Sequence, residues 1–338
     1  MTTTLPPLPR VRLATLPTPL RPAPRLSAAI GTEVWLKRDD LTGFGLGGNK
    51  VRALEYLVGE ATSAGFDCLV TGGGPQSNWT MLAALAARCC GLDGYLVFYG
   101  EPQPAAGNLL LARQAGAMIR FTLDQERASV DREVAALGAE LEAAGRRPYL
   151  LPRGGATPLG AVGYVSACLE LAEQLAADQL EPAQLWLATG SCGTQAGLVA
   201  GARWLRFPFE VVGVAVSRPV DESLRRVEEL AEGAAKLLGT RPPATAESPS
   251  GDPAPASGGP APTVLGGYLG PGYGIPSADG DLAATLVART EGVFLDPVFG
   301  AKAMAALLTA ARSAPPAGPV VFLVTGGAPT VLWRRAAL

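Results

Sequence analysis

The chain contains no histidine in its 338 residues. That absence removes Ser-His-Asp and Cys-His catalysis, histidine metal sites and imidazole proton shuttles. Lysine is scarce too, at Lys37, Lys50, Lys236 and Lys302 only. Charged residues make up 17% of the chain and the formal net charge is −2, so no basic footprint for a nucleic acid is visible. No uninterrupted apolar run is long enough to span a bilayer. The opening MTTTLPPLPR lacks the charged-then-apolar layout of a signal peptide. A soluble, cytoplasmic protein without a membrane partner is expected. The five cysteines (Cys68, Cys89, Cys90, Cys168, Cys192) show no framework or CxxC spacing. Four lie in apolar segments and read as small core residues in a reducing compartment. Any chemistry must rest on Lys, Tyr, Ser, Thr, Cys, carboxylates, a cofactor or backbone dipoles.

What the chain does have is alternation. Short apolar runs at Cys68–Thr71, Tyr95–Phe98, Leu185–Thr189, Val211–Val216 and Val320–Val324 read as buried strands. Helical patterns lie between them, from about residue 50 to 65, from the Gly72–Gly74 turn through Cys90, around Asn108–Ala115, over Gln125–Gly145 and through Trp204. This predicts an α/β protein with parallel sheets covered on both faces. Residues 240–263, a Pro/Ala/Ser/Gly run, cannot bury enough apolar surface to order themselves. They are expected to form a surface insertion, with a domain linker as the alternative.

Lys50 stands in Gly47-Gly48-Asn49-Lys50-Val51-Arg52, with apolar residues at helical spacing after it. Asn49 is then a natural N-cap and Lys50 lies in the first helical turn. The positive end of the helix dipole disfavours a cation there and lowers the amine's pKa, as a nucleophile requires. A surface lysine beside a flexible turn fits the hexapeptide equally well.

Three glycine-rich loops follow expected parallel strands: Thr71–Gly74, Gly190–Gly197 and Thr325–Gly327. Ligands of open α/β sheets lie at the carboxyl ends of the strands. In the second loop, glycine allows close backbone approach, and helix N–H groups with the Ser191 and Thr194 hydroxyls can ligate a phosphate. The loop is neither a Walker A nor a GxGxxG motif, and a tight strand-to-helix turn would use glycine as well. Ser77 and Asn78 sit where a new helix begins, so either could be a simple cap. Together, a reactive lysine, a phosphate cradle, a Ser-Asn pair and Thr325 after a strand match the needs of pyridoxal phosphate.

Read in order, these segments resemble the D-cysteine desulfhydrase/1-aminocyclopropane-1-carboxylate deaminase family of pyridoxal-phosphate enzymes. The matching pieces are Lys37–Gly43, Gly47–Arg52, Gln76-Ser77-Asn78, Gly154-Gly155 with Pro158-Leu159-Gly160, Gly190–Gly197, Pro271–Gly274, Leu295–Val298 and Thr325–Gly327. The resemblance implies a tryptophan-synthase-β-like fold (fold type II) with two three-layer αβα domains and mostly parallel sheets. Residues 49–154 would form the small domain, and 1–48 with 155–338 the large one. It also implies a homodimer and a small amino-acid substrate.

By the same carry-over, Lys50 is similar to the Schiff-base lysine and α-proton base. Asn78 matches the residue bonding the ring hydroxyl, and Ser77 lies where the substrate carboxylate binds. The loop Gly190-Ser191-Cys192-Gly193-Thr194 resembles the phosphate cradle, with Cys192 in place of the usual glycine. Thr325 matches the residue bonding the ring nitrogen in the desulfhydrase branch. Tyr273 keeps a tyrosine used for substrate contact or acid/base work. Trp79 replaces the usual His or Gln and is expected as a bulky ring on the substrate side. Phe299 replaces a second tyrosine and Gly300 the acidic residue of the deaminases; without that phenol, cyclopropane opening is not expected. The expected reaction is α,β-elimination from D-cysteine or a related β-substituted amino acid, giving a keto acid and ammonia. β-Replacement, racemisation, dehydration and non-catalytic ligand binding stand as alternatives.

Overall fold

A computed structural model describes residues 5–239 and 261–332. The first half contains β1 (Leu20–Pro22), α1 (Pro24–Ile30), β2 (Val34–Lys37), α2 (Lys50–Ser63), β3 (Cys68–Gly73), α3 (Asn78–Cys89), β4 (Asp93–Phe98), α4 (Gly107–Gln114), β5 (Met118–Phe121), α5 (Ser129–Ala143) and β6 (Pro148–Leu150). The second contains α6 (Pro158–Ala177), β7 (Gln184–Thr189), α7 (Gly193–Leu205), β8 (Glu210–Ala215), α8 (Val220–Leu238), β9 (Thr263–Leu265), α9 (Ala278–Glu291), α10 (Gly300–Ser313), β10 (Val320–Leu323) and α11 (Ala328–Leu332).

These strands make two sheets. One has six strands in the order β1-β2-β10-β7-β8-β9, the other four in the order β5-β4-β3-β6. All neighbours are parallel except β1 with β2. The two-residue period of a strand sorts the apolar side chains to opposite faces. In the larger sheet, Leu185, Leu187, Val321 and Leu323 pack with α6, α7 and α8. Trp186, Val212, Val214, Val320 and Phe322 turn the other way, to the core shared with α9 and α10. In the smaller sheet, Cys68, Val70 and Val97 meet α5, while Leu96 and Phe98 meet α3 and α4. Both sheets are therefore covered on both faces, as near-continuous apolar strands require.

Several expected boundaries shift. The strand expected over Cys68–Thr71 runs on through Gly73. Glycine lets it do so: a Cβ on Gly72 would lie 2.4 Å from Val130 and 2.5 Å from the Val97 carbonyl. The helix expected from Gln125 starts only at Ser129, whose hydroxyl turns back to the Glu126 carbonyl at 2.6 Å. Residues 240–260 of the expected insertion lie outside the described residues. Its last residue, Thr263, belongs instead to β9, held by its carbonyl accepting from Gln195 Nε2 at 2.8 Å. Among the described residues no helix is long and apolar enough to cross a membrane.

Candidate active site

One cavity of about 900 Å³ opens between the carboxyl ends of the two sheets. The smaller sheet contributes Gly72–Trp79, Tyr99 and Arg127; the larger contributes Ala188–Cys192, Thr194, Ser217, Arg218, Tyr273, Phe299 and Thr325. Lys50 stands between them.

A buried ionic network sets the position of Lys50. Arg52, two residues on, is 1% exposed and pairs with Asp39 (2.8 and 2.9 Å) and Glu170 (3.0 and 2.9 Å). Tyr164 donates its hydroxyl to Asp39 at 2.5 Å, and Lys37 ties Glu170 to Gln174. Burial is the largest single influence and would raise the Asp39 and Glu170 carboxyls, but Arg52 together with Lys37, and for Asp39 the Tyr164 hydroxyl, holds both below the ordinary range. The turn leading into α2 is equally constrained. Gly47 has φ +73°, and a Cβ there would stand 2.1 Å from the Asp40 carbonyl oxygen, so only glycine fits.

Lys50 is the first residue of α2. Asn49 occupies the cap position, but its side chain does not cap. It reaches across to Thr194 instead, Nδ2 to Oγ1 at 2.9 Å. The helix carrying the lysine is thereby tied to the loop after β7. Lys50 Nζ lies 3.3 Å from Ser191 Oγ. Burial brings its amine down to about 8, against a smaller opposing pull from Cys192. Enclosure is the main cause, and the helix-start position acts in the same direction. Lys37 and Lys302, also buried, are committed elsewhere. Lys302 donates to the Leu269 and Gly272 carbonyls and so fixes the loop that presents Tyr273.

The loop Gly190–Thr194 fits an anion. α3, α6 and α9 receive side-chain caps from Ser77, Thr157 and Ser277, and the Asp296 carboxylate accepts from the first amides of α10. α7, like α1, α2, α4, α5 and α8, has no side-chain cap; its first turn, at Gly193 and Thr194, is the one that lies beside the Ser191 and Thr194 hydroxyls in a glycine loop. Cys192 takes φ +74°, a conformation that favours glycine, at the turn into this helix. Burial pushes its thiol up. Gly154 lies over the loop, where a Cβ would meet Ser191 at 2.6 Å.

Asn78 is oriented by a partner that the sequence did not reveal. Buried Asn108 donates Nδ2 to the Gln76 carbonyl (2.9 Å) and to Asn78 Oδ1 (2.7 Å). The oxygen of Asn78 is therefore occupied and its amide N–H₂ is left as the donor, which suits a ring oxygen. Ser77 caps α3, accepting from Thr80 N at 3.4 Å. Thr325 is 9% exposed, and its carbonyl accepts from Asn49 N at 2.9 Å. Tyr273 and Phe299 meet edge to face, 6.2 Å between centroids. Phe299 also faces Gly190, where a Cβ would be 3.4 Å from its ring.

Trp79 lines the cavity, yet its ring is only 2% exposed. The indole N–H donates to Thr71 Oγ1 at 2.9 Å. A Cβ on Gly155 would lie 2.2 Å from the ring. Position 79 faces the core of α3, and the glycine provides the slot. Of the other expected residues, Gly193 and Gly300 sit just behind the cavity wall, Gly300 donating its N–H to Asp296. Tyr99, Arg127, Arg153, Ser217 and Arg218, not expected from the sequence, also line the cavity. Tyr99 and Ser217-Arg218 follow strands at their carboxyl ends, the same signal that marked the glycine loops.

The family model for pyridoxal-phosphate dependent enzymes matches residues 11–326. The chain belongs to that family. It is 38% identical to the D-cysteine desulfhydrase of Salmonella choleraesuis (strain SC-B67) over 96% of this chain and 95% of that protein. A similar match, at 37% identity over 96% and 95%, is to the D-cysteine desulfhydrase of Serratia proteamaculans (strain 568). Among solved structures, an ACC deaminase homologue superposes with a TM-score of 0.85 at 35% identity, over 95% of this chain and 92% of that one. A fungal L-serine ammonia-lyase from Rhizomucor miehei shares the fold, with a TM-score of 0.65 at 18% identity over 96% of this chain and 99% of that one. The α/β fold of type II and the dependence on pyridoxal phosphate follow. The cradle at α7, the amine of Lys50 and the fixed amide of Asn78 suit that cofactor's phosphate, aldehyde and ring oxygen.

Proposed function

We propose that this enzyme is a lyase that eliminates the β-substituent of D-cysteine or a related small amino acid, giving a keto acid and ammonia. The observation that carries the reading is Lys50: among the described residues it is the lysine that reaches the cavity, with its amine brought down to about 8, in a chain 38% identical to a desulfhydrase. The bound cofactor supplies an aldehyde for an amine and an electron sink that makes the α-proton of an attached amino acid acidic. The cradle Gly190–Thr194 holds its phosphate, Asn78 its ring hydroxyl and Thr325 its ring nitrogen. A neutral hydroxyl at the nitrogen leaves the ring unprotonated, which suits a reaction with a good β-leaving group.

The Ser77 hydroxyl receives the substrate carboxylate. Lys50, displaced by the substrate amine, takes the α-proton. The Tyr273 phenol, raised by burial, stays protonated and serves as a donor to the leaving group. Phe299 has no proton to give, and for that reason cyclopropane opening is not part of this reading. Residues 49–154 act as a small domain against the rest of the chain, in keeping with their own sheet and cores. A homodimer in a reducing cytoplasm is the proposed setting, consistent with five unpaired cysteines.

The test is product analysis with D-cysteine and the holoenzyme. Sulfide, ammonia and pyruvate are expected in equal amounts, and none from Lys50→Ala. No pyruvate from D-cysteine or from any related small β-substituted amino acid on cofactor-loaded protein, or racemisation without loss of the β-substituent, would refute the assignment.

A further inference from the structure

The cavity wall carries positive charge that the reaction above does not use. Arg127, Arg153 and Arg218 all line it, against the single carboxylate of Asp281. Arg153 is neutralised, its guanidinium meeting both oxygens of Asp131 at 2.9 and 2.7 Å. Arg127 makes no ion pair among the described residues. Its Nη2 donates to Ser217 Oγ at 3.3 Å, and its guanidinium carbon stands 3.8 Å from the centre of the Tyr273 ring. Arg218, next in the chain after Ser217, reaches Glu222 only at 3.5 Å, and its Nε is buried without a hydrogen-bond partner. Arg127 and Ser217 thus share one corner at the carboxyl end of β8, and Arg218 lines the same cavity, close enough to Tyr273 and Cys192 to act on both. Arg127 arrives there from the loop after β5, so the corner forms only where the two sheets face each other.

A buried N–H without a partner is costly until something accepts from it. The groups already assigned do not need this corner: the phosphate has the amides and hydroxyls of its own cradle, and the substrate carboxylate has Ser77. The cavity of about 900 Å³, at the large end for small-molecule sites, holds the cofactor and the substrate together, and the arginines line the same space. Guanidinium edges match planar or tripodal oxyanions, and stacking on Tyr273 occupies only the face of Arg127.

We infer that Arg127, Ser217 and Arg218 form an oxyanion-binding corner for an acidic group on the substrate's own side chain. The substrate class is then a β-substituted amino acid whose leaving group bears a negative charge, such as a sulfonate or a carboxylate. This rests on the elimination reading and narrows it.

The experiment compares S-sulfocysteine with neutral β-chloroalanine, each of the hand the enzyme accepts, on the holoenzyme. Each loses its α-proton and its leaving group, thiosulfate or chloride; the aminoacrylate left behind hydrolyses to pyruvate and ammonia. Arg127→Gln and Arg218→Gln are expected to lower the acidic-to-neutral kcat/KM ratio at least tenfold, with Arg127→Lys recovering part of it. Titration of pyridoxal phosphate into each apo variant runs alongside. Lost cofactor affinity with an unchanged ratio would give the corner to the phosphate and overturn the inference. So would an unchanged ratio with unchanged affinity. A third readout needs no turnover: aspartate should shift the cofactor's absorbance at lower concentration than alanine in the wild type but not in Arg127→Gln. If neither β-substituted substrate yields pyruvate, the elimination reading fails while this binding difference still decides the corner.

Discussion

Arg52 sets two nitrogens against the two carboxylate oxygens of Asp39, at 2.8 and 2.9 Å, with both side chains out of water. Lys50 stands just before it in the same first turn of α2. The motif residues around Lys50 are thus mainly its foundation: Arg52 joins Asp39 to Glu170, Lys37 pairs with Glu170, and α2 starts where that network puts it. Removing the Arg52 cation alone would strand the buried Asp39 carboxylate and leave Glu170 with Lys37 as its counter-ion. Arg52→Met is expected to destabilise the protein by about 3–5 kcal/mol, read as a lower urea midpoint.

The same network predicts a direction in pH. Asp39 and Glu170 titrate below their ordinary values of 3.8 and 4.5 in the folded protein. Their contribution is fully present above those ordinary values and is lost as pH falls through the depressed ones. The urea midpoint should therefore drop steeply on the acid side. In Arg52→Met that drop should be smaller, because Asp39 without its counter-ion no longer titrates below the unfolded chain.

Gly155→Ala should be strongly destabilising. Its φ is +63°, and the added methyl would stand 2.2 Å from the Trp79 ring. Overpacking of this kind costs about 1–3 kcal/mol, and the left-handed conformation adds about 1 kcal/mol or more. Thermal melting is the readout. Combining Gly155→Ala with Trp79→Leu should restore part of the loss, since the slot is then empty.

The amine of Lys50 gives a kinetic prediction. Only its neutral form attacks an aldehyde, and it titrates near about 8 in the free protein. The rate of pyridoxal-phosphate uptake by the apoprotein should rise with pH through that value and level off above it. A rise continuing to the ordinary lysine range of 10.5 would mean that the amine is not enclosed.

Much of this was legible in the sequence because it is written locally. The strongly apolar runs at Leu185–Thr189 and Val320–Val324, the helix after Lys50 and the glycine-rich loop at Gly190 each follow from adjacent residues. What was not legible depends on partners far along the chain. β1, β5, β6 and β9 are three or four residues long, too short for periodicity to mark, and exist because neighbouring strands accept them. Asn49 looks like a cap until Thr194, 145 residues away, offers its hydroxyl. The slot that buries most of the Trp79 ring comes from Gly155, far along the chain. Arg127 was hidden inside an expected helix that starts two residues later, which leaves its side chain in the cavity wall.

The central claim is that Lys50 carries the cofactor, and reductive trapping tests it most directly. Borohydride reduction of the holoenzyme, proteolysis and mass spectrometry should place the pyridoxyl group on the peptide containing Lys50, with none on that peptide in unreduced samples. Label at Lys37, Lys236 or Lys302 in place of Lys50, or no label on cofactor-loaded protein, would contradict the account.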